Sequence, residues 1–145
     1  MPTRNAQTHW SGGLNDGSGV VRLVSSGVGK FDVSFPRRSA EDAEGVTSPE
    51  ELIAAAHSAC YAMQCSALIA RAGGTPGTLD VSADVSLEPD PAGGFRIAGI
   101  HLSVRGVMEG LDEAAFKEVA ETAKASCPVS KALTGTTITL DAAFA

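Results

Sequence analysis

The sequence predicts an α+β domain: short strands, a long helix, two strands, a second helix and a closing strand. Three observations carry this. Leu52 to Ala70 holds no Asp, Glu, Lys or Arg over about five helical turns. Val81, Ala83, Val85 and Leu87 alternate with polar residues, the period of a half-buried strand. After Asp112, the residues Ala115, Phe116, Val119 and Ala123 recur at helical spacing.

Taken in order, Val20 to Leu23 is the first predicted strand, and Phe31, Val33 and Phe35 alternate in the next. Pro36 ends that pattern, and Arg37 to Val46 reads as a charged loop. Ser48-Pro49-Glu50-Glu51 is a helix start: Ser48 caps, Pro49 suits the first position and Glu51 completes a capping box. The helix is expected to reach about Ala72, where Gly73-Gly74 stops it. Beyond the Val81–Leu87 strand, Pro89 to Gly94 makes a turn. Phe95 and Ile97 then share one face, whereas Ile100, Leu102 and Val104 fall in the opposite phase. One extra residue near Ala98-Gly99, a β-bulge, reconciles them. Asp112 opens the second helix, Cys127-Pro128 interrupts it, and a short turn follows through Leu133. Thr136 to Phe144 is the last strand. With no linker, repeat or low-complexity tract, residues 1–145 read as a single domain.

Composition removes some functions. The chain is 43% apolar and 19% charged, as globular chains are. Seventeen acidic against eleven basic residues give a net charge of -6, which disfavours nucleic acid and anionic membranes as partners. As a membrane span, Leu52–Ala70 is a poor candidate, being rich in Ala and holding His57, Ser58, Gln64 and Ser66. It reads better as a helix buried by protein. Met1 to Trp10 has no apolar run, so no secretory signal is expected. Three cysteines then point to the reducing cytoplasm and to thiol chemistry.

A single buried cysteine is usually a small hydrophobe, and Cys60 in mid-helix invites that reading. Cys127 weakens it, because it stands at a helix break where unpaired amides favour a thiolate. Cys65 lies five residues from Cys60, roughly 140° around the helix, so it reads as a packing residue. His57 shares the face of Cys60 and offers a base to a cysteine hydrolase or a ligand to zinc. The plainer reading is a hydrogen-bonded histidine in a tight helix interface. His9 and His101 have no ligand spacing, and there is no paired CxxC, G-x-S-x-G or phosphate-binding loop. With Glu51 in the cap, Glu50 is free for another task. A guanidinium from Arg37-Arg38 beside a thiolate lowers the thiol pKa and polarises a peroxide, and a carboxylate holds its fork in place.

These residues resemble the OsmC/Ohr family. The likeness rests on Ser48-Pro49-Glu50-Glu51-Leu52-Ile53-Ala54-Ala55-Ala56-His57-Ser58-Ala59-Cys60 and on Ala123-Lys124-Ala125-Ser126-Cys127-Pro128-Val129-Ser130. His9-Trp10 and the strand Ile138-Thr139-Leu140-Asp141 also fit. The resemblance implies an OsmC-like fold with β-sheets wrapped around two long central helices in an intertwined homodimer. It further implies a two-cysteine peroxidase for organic hydroperoxides, and less readily hydrogen peroxide, in oxidative or osmotic stress defence. In that scheme Cys60 is peroxidatic, Cys127 resolving and Glu50 the acidic partner. Arg38 is the expected active-site arginine and Arg37 the second choice. Leu14-Asn15-Asp16-Gly17-Ser18 lacks the early arginine of the Ohr branch, which favours the OsmC branch. No metal, flavin or haem is implied, and the expected reductant is an external dithiol of lipoyl type. Glu50 and Cys60 stand roughly 15 Å apart along one straight helix, so Glu50 is expected to serve the partner chain's site. Two other classes stay open: a cysteine-dependent hydrolase using Cys60 and His57, and a non-catalytic zinc- or ligand-binding dimer. The hydrolase fails without His57, whereas the peroxidase keeps near-normal activity without it but loses dithiol-driven turnover without Cys127.

Overall fold

The computed structural model describes residues Met1–Ala145 and contains two three-stranded sheets and four helices, an α+β architecture. Backbone contacts divide the chain into two compact units, Met1–Leu52 and Ile53–Ala145.

In the first unit, β1 (Ala6–Ser11), β2 (Ser18–Leu23) and β3 (Lys30–Val33) form an antiparallel meander. Phe35 does not continue β3, although its alternation predicts that it should. Ser34 adopts an extended backbone and its hydroxyl accepts the Arg37 amide at 3.4 Å. With Pro36 in the first turn, the chain winds into the short helix α1 (Phe35–Arg38). Arg37 and Arg38 are thereby carried on a helical turn, not on the loop expected. Beyond this turn, Thr47 returns to β3 through a parallel bridge to Val33, its amide donating to Asp32 O at 3.2 Å. That bridge delivers the chain to Ser48.

The long helix α2 (Pro49–Arg71) begins as its sequence predicts: Ser48 Oγ accepts the Glu51 amide at 3.2 Å. The Glu51 carboxylate accepts the Thr47 hydroxyl instead of closing the capping box on Ser48. At the other end Gly73 takes φ +90°, its amide reaching Ala70 O while the Gly74 amide reaches Ile69 O. This is a Schellman stop, and it needs the left-handed residue that glycine supplies without strain.

The second unit holds β4 (Thr75–Pro89), β5 (Phe95–Glu109), α3 (Glu113–Ser126), α4 (Pro128–Ala132) and β6 (Thr137–Phe144). β4 and β5 form a long hairpin whose register shifts so that Ala98 is left unopposed, the bulge expected from the phase change. A second shift at Gly77 carries no phase signal; a Cβ there would stand 2.6 Å from Val107 O. Asp112 caps α3, accepting the Ala115 amide at 2.8 Å. β6 pairs parallel with β5, so α3 and α4 form a crossover. The core joins Tyr61, Cys65 and Ile69 of α2 to Leu102 and Val104 of β5 and to Phe116, Ala120 and Ala123 of α3.

α2 is long and apolar enough to cross a membrane by length and composition. Its stripe His57, Tyr61, Cys65 and Ile69, however, is fully buried against protein at i, i+4 spacing. Another face, carrying Ala55, Ala59, Met63 and Ala67, is exposed, with Met63 at 74%.

Candidate active site

Two side-chain constellations stand out, one in each unit. In the second, the break between α3 and α4 places Cys127 against α2. The Cys127 Sγ lies 3.0 Å from Cys60 Sγ and is oriented to donate to it. All three cysteines are free thiols. Cys127 is fully buried and Cys60 half-buried, so Cys60 is the one of the pair open to a small molecule. Burial pushes the Cys60 thiol pKa up, and the bond with Cys127 adds to this, while a hydrogen bond from the Val129 backbone opposes it. The amide at the start of α4 therefore serves Cys60. The sequence assigned that help to Cys127, which caps α4 but makes no side-chain capping bond.

Cys65 is fully buried in the core, and burial raises its thiol pKa as well. His57 is also fully buried; its Nε2 meets Ser130 Oγ at 2.6 Å and its Nδ1 has no partner. Desolvation lowers its pKa below the ordinary 6.5. Tyr61 is anchored in the core by its hydroxyl, which donates to Ala120 O at 3.0 Å.

In the first unit, Glu50 holds the guanidinium of Arg38. Arg38 Nε donates to both carboxylate oxygens at 3.1 and 3.2 Å, and an Nη atom reaches Oε1 at 2.7 Å. Glu50 is 7% exposed. Arg37 turns away to Glu44 at 3.0 Å, so the helical turn of α1 sorts two adjacent arginines into different roles. Arg38 also borders a cleft of about 460 Å³ whose walls include Trp10, Leu14, Val33, Phe35 and Leu52. Phe35 lines this cleft, whereas Tyr61 lies in the core and Met63 is exposed.

Sequence reasoning missed three contributors: the Val129 amide, the Ser130 hydroxyl and the wall of Trp10 and Leu14. Only Ser130 left a trace, because it follows Cys127 at the same three-residue stride by which His57 precedes Cys60. No group of three or more His, Cys, Asp or Glu side chains is arranged to hold a metal.

The OsmC-like protein family matches residues 41–141. Peroxiredoxin OsmC of Escherichia coli (strain K12) is 40% identical over 138 residues, covering 95% of this chain and 94% of that one. Organic hydroperoxide resistance protein OhrA of Bacillus subtilis (strain 168) is 36% identical over 117 residues, covering 78% and 79%. Among solved structures, an organic hydroperoxide resistance protein OsmC from Legionella pneumophila superposes with a TM-score of 0.78 at 28% identity, covering 99% and 98%. OhrB of Bacillus subtilis gives 0.73 at 28% identity, covering 95% and 97%. With matches of this extent in sequence and in fold, the chain belongs to the OsmC/Ohr family.

Proposed function

We propose that the protein is a thiol peroxidase that reduces organic hydroperoxides, and less readily hydrogen peroxide, in defence against oxidative or osmotic stress in the cytoplasm. The observation that carries this is the 3.0 Å approach of a buried thiol, Cys127, to a more open one, Cys60. The relatives named for peroxiredoxin activity and for organic hydroperoxide resistance support the same reading.

The Cys60 thiolate attacks the distal oxygen of the hydroperoxide. The O–O bond breaks, the alcohol leaves, and the sulfur becomes a sulfenic acid. Cys127 then condenses with it: an S–S bond forms, the S–O bond breaks, and water carries away the hydroxyl and the thiol proton. An external dithiol, of lipoyl type, restores both thiols by exchange. The cycle calls on no metal or organic cofactor.

Burial raises the Cys60 pKa, so the nucleophile needs a nearby cation. Arg38, held in the Glu50 fork, is suited to that task and to polarising the peroxide, with the cleft beside it receiving the alkyl portion. α2 is unbroken from Pro49 to Arg71, and ten residues along it span roughly 15 Å. Glu50 and Arg38 therefore act on Cys60 of the partner subunit, in a homodimer that covers the exposed face of α2. Mixed dimers test this: Cys60→Ser and Arg38→Ala subunits, each inactive alone, regain activity together only if the site is shared.

The main test is consumption of cumene hydroperoxide with a dithiol, with mass spectrometry for a Cys60–Cys127 disulfide. Untouched peroxide and free thiols would overturn the assignment.

A further inference from the structure

The sequence alone left His57 dispensable to a peroxidase, but the structure gives its buried hydrogen bond with Ser130 a specific place beside the two sulfurs. His57 precedes Cys60 by one helical turn on α2, and Ser130 follows Cys127 by three residues on α4. The N···O contact of 2.6 Å and the S···S contact of 3.0 Å are therefore adjacent rungs between the same two helices. Nδ1 has no partner, and a bare lone pair is a cheaper orphan than a bare N–H. Nε2 accordingly carries the proton and donates to Ser130 Oγ. The desolvation that lowers the His57 pKa keeps this neutral form in place.

We propose that His57, acting through Ser130, is a positioning residue that holds Cys127 within bonding reach of the Cys60 sulfenic acid. This rests on the two-cysteine reading. Closure breaks the Cys60 S–O bond, forms the S–S bond and releases water with the Cys127 proton; it needs no outside oxidant or reductant. The sulfurs must approach by only about 1 Å to reach the disulfide length of about 2.05 Å, so α4 must not drift while the sulfenic acid waits. Cys127 is also tied by its backbone to Ala123 and Lys131, but those bonds hold it to its own helices and not to α2, and the Tyr61 hydroxyl anchors α3 two turns upstream at Ala120. Pro128 has no amide to offer, and the Val129 amide bonds the very sulfur that reacts. The link from Gln64 to Ser126 is only part-buried. His57 and Ser130, at 0% and 3% exposure, make their bond away from water.

The test is a single pulse of cumene hydroperoxide on the reduced full-length protein, quenched over time with a sulfenic-acid trap. Mass spectrometry then reads the ratio of trapped Cys60 to Cys60–Cys127 disulfide. Ser130→Ala, which changes volume least, and His57→Leu are expected to close about ten- to a hundred-fold more slowly than wild type, the range for a misplaced reacting group. His57→Gln, whose amide nitrogen can occupy the Nε2 position, stays near the wild-type rate. Closure at the wild-type rate in Ser130→Ala overturns the proposal, as does a His57→Gln as slow as His57→Leu. If wild type itself accumulates trapped Cys60 and never the disulfide, the two-cysteine reading falls and takes this proposal with it.

Discussion

Breaking the Arg38–Glu50 pair should cost different amounts from its two ends. Removing Arg38 leaves a carboxylate whose side chain is 9% exposed without its guanidinium; removing Glu50 leaves a guanidinium that is 32% exposed and can rehydrate. Three hydrogen bonds are lost either way. An orphaned buried charge costs about 3–5 kcal/mol when fully enclosed, and the first turn of α2 relieves about 0.5–1 kcal/mol of that for an anion. Arg38→Ala is thus expected to lose about 2–4 kcal/mol. Glu50→Ala should lose only about 1 kcal/mol, since the surviving cation stays partly in water. The sharper consequence is in the double variant: deleting Glu50 from Arg38→Ala should restore about 1 kcal/mol, because it removes the orphan. Urea denaturation of the four proteins at one fixed concentration measures all three differences. A Glu50→Ala as damaging as Arg38→Ala, or a double variant less stable than Arg38→Ala, would refute the reasoning.

Other substitutions separate chemistry from packing. Cys127→Ser should abolish dithiol-driven turnover while a trap still labels Cys60, whereas Cys65→Ala should keep the redox cycle and lose about 1 kcal/mol of stability to a small cavity; mass spectrometry and urea melts report each. His57 has a folded-state pKa below its unfolded 6.5, so its contribution is intact above pH 6.5. It is lost as pH falls towards the folded pKa, at up to about 1.4 kcal/mol per pH unit. His57→Gln should flatten that limb in urea melts between pH 7 and 5, and an unchanged slope would contradict it. Gly77→Ala should cost about 1–3 kcal/mol by thermal melt, since the added carbon meets the Val107 carbonyl and the bulge must open.

What could be read in advance depended on whether the signal was local. The start of α2 at Ser48-Pro49, its stop at Gly73-Gly74 and the bulge at Ala98 each follow from a few neighbouring residues. α1 was hidden because Phe35 continues the alternation of Phe31 and Val33, while the Ser34 cap and Pro36 that wind the turn read equally well as a strand end. Glu51 turned to Thr47 because the bridge from Val33 to Thr47 holds that hydroxyl beside it, a contact between residues fourteen apart. Likewise, the parallel pairing of β6 with β5 leaves no mark on either strand's own pattern. Two cysteines could be nominated from their motifs, but not which amide would face Cys60. That depends on how tightly α4 winds after Pro128, and it is Val129 that ends beside the sulfur.

The crossover to β6 also sets an order of events during synthesis. α3 packs on β6, with the Phe116 and Phe144 rings stacked at 5.8 Å, and α4 is carried between the two. The perch of Cys127 is therefore complete only once β6 has emerged and docked. At about 5–20 residues per second, the ribosome needs on the order of ten seconds to pass from Cys60 to that strand. Throughout this interval Cys60 lacks the neighbouring thiol that meets it at 3.0 Å in the folded chain.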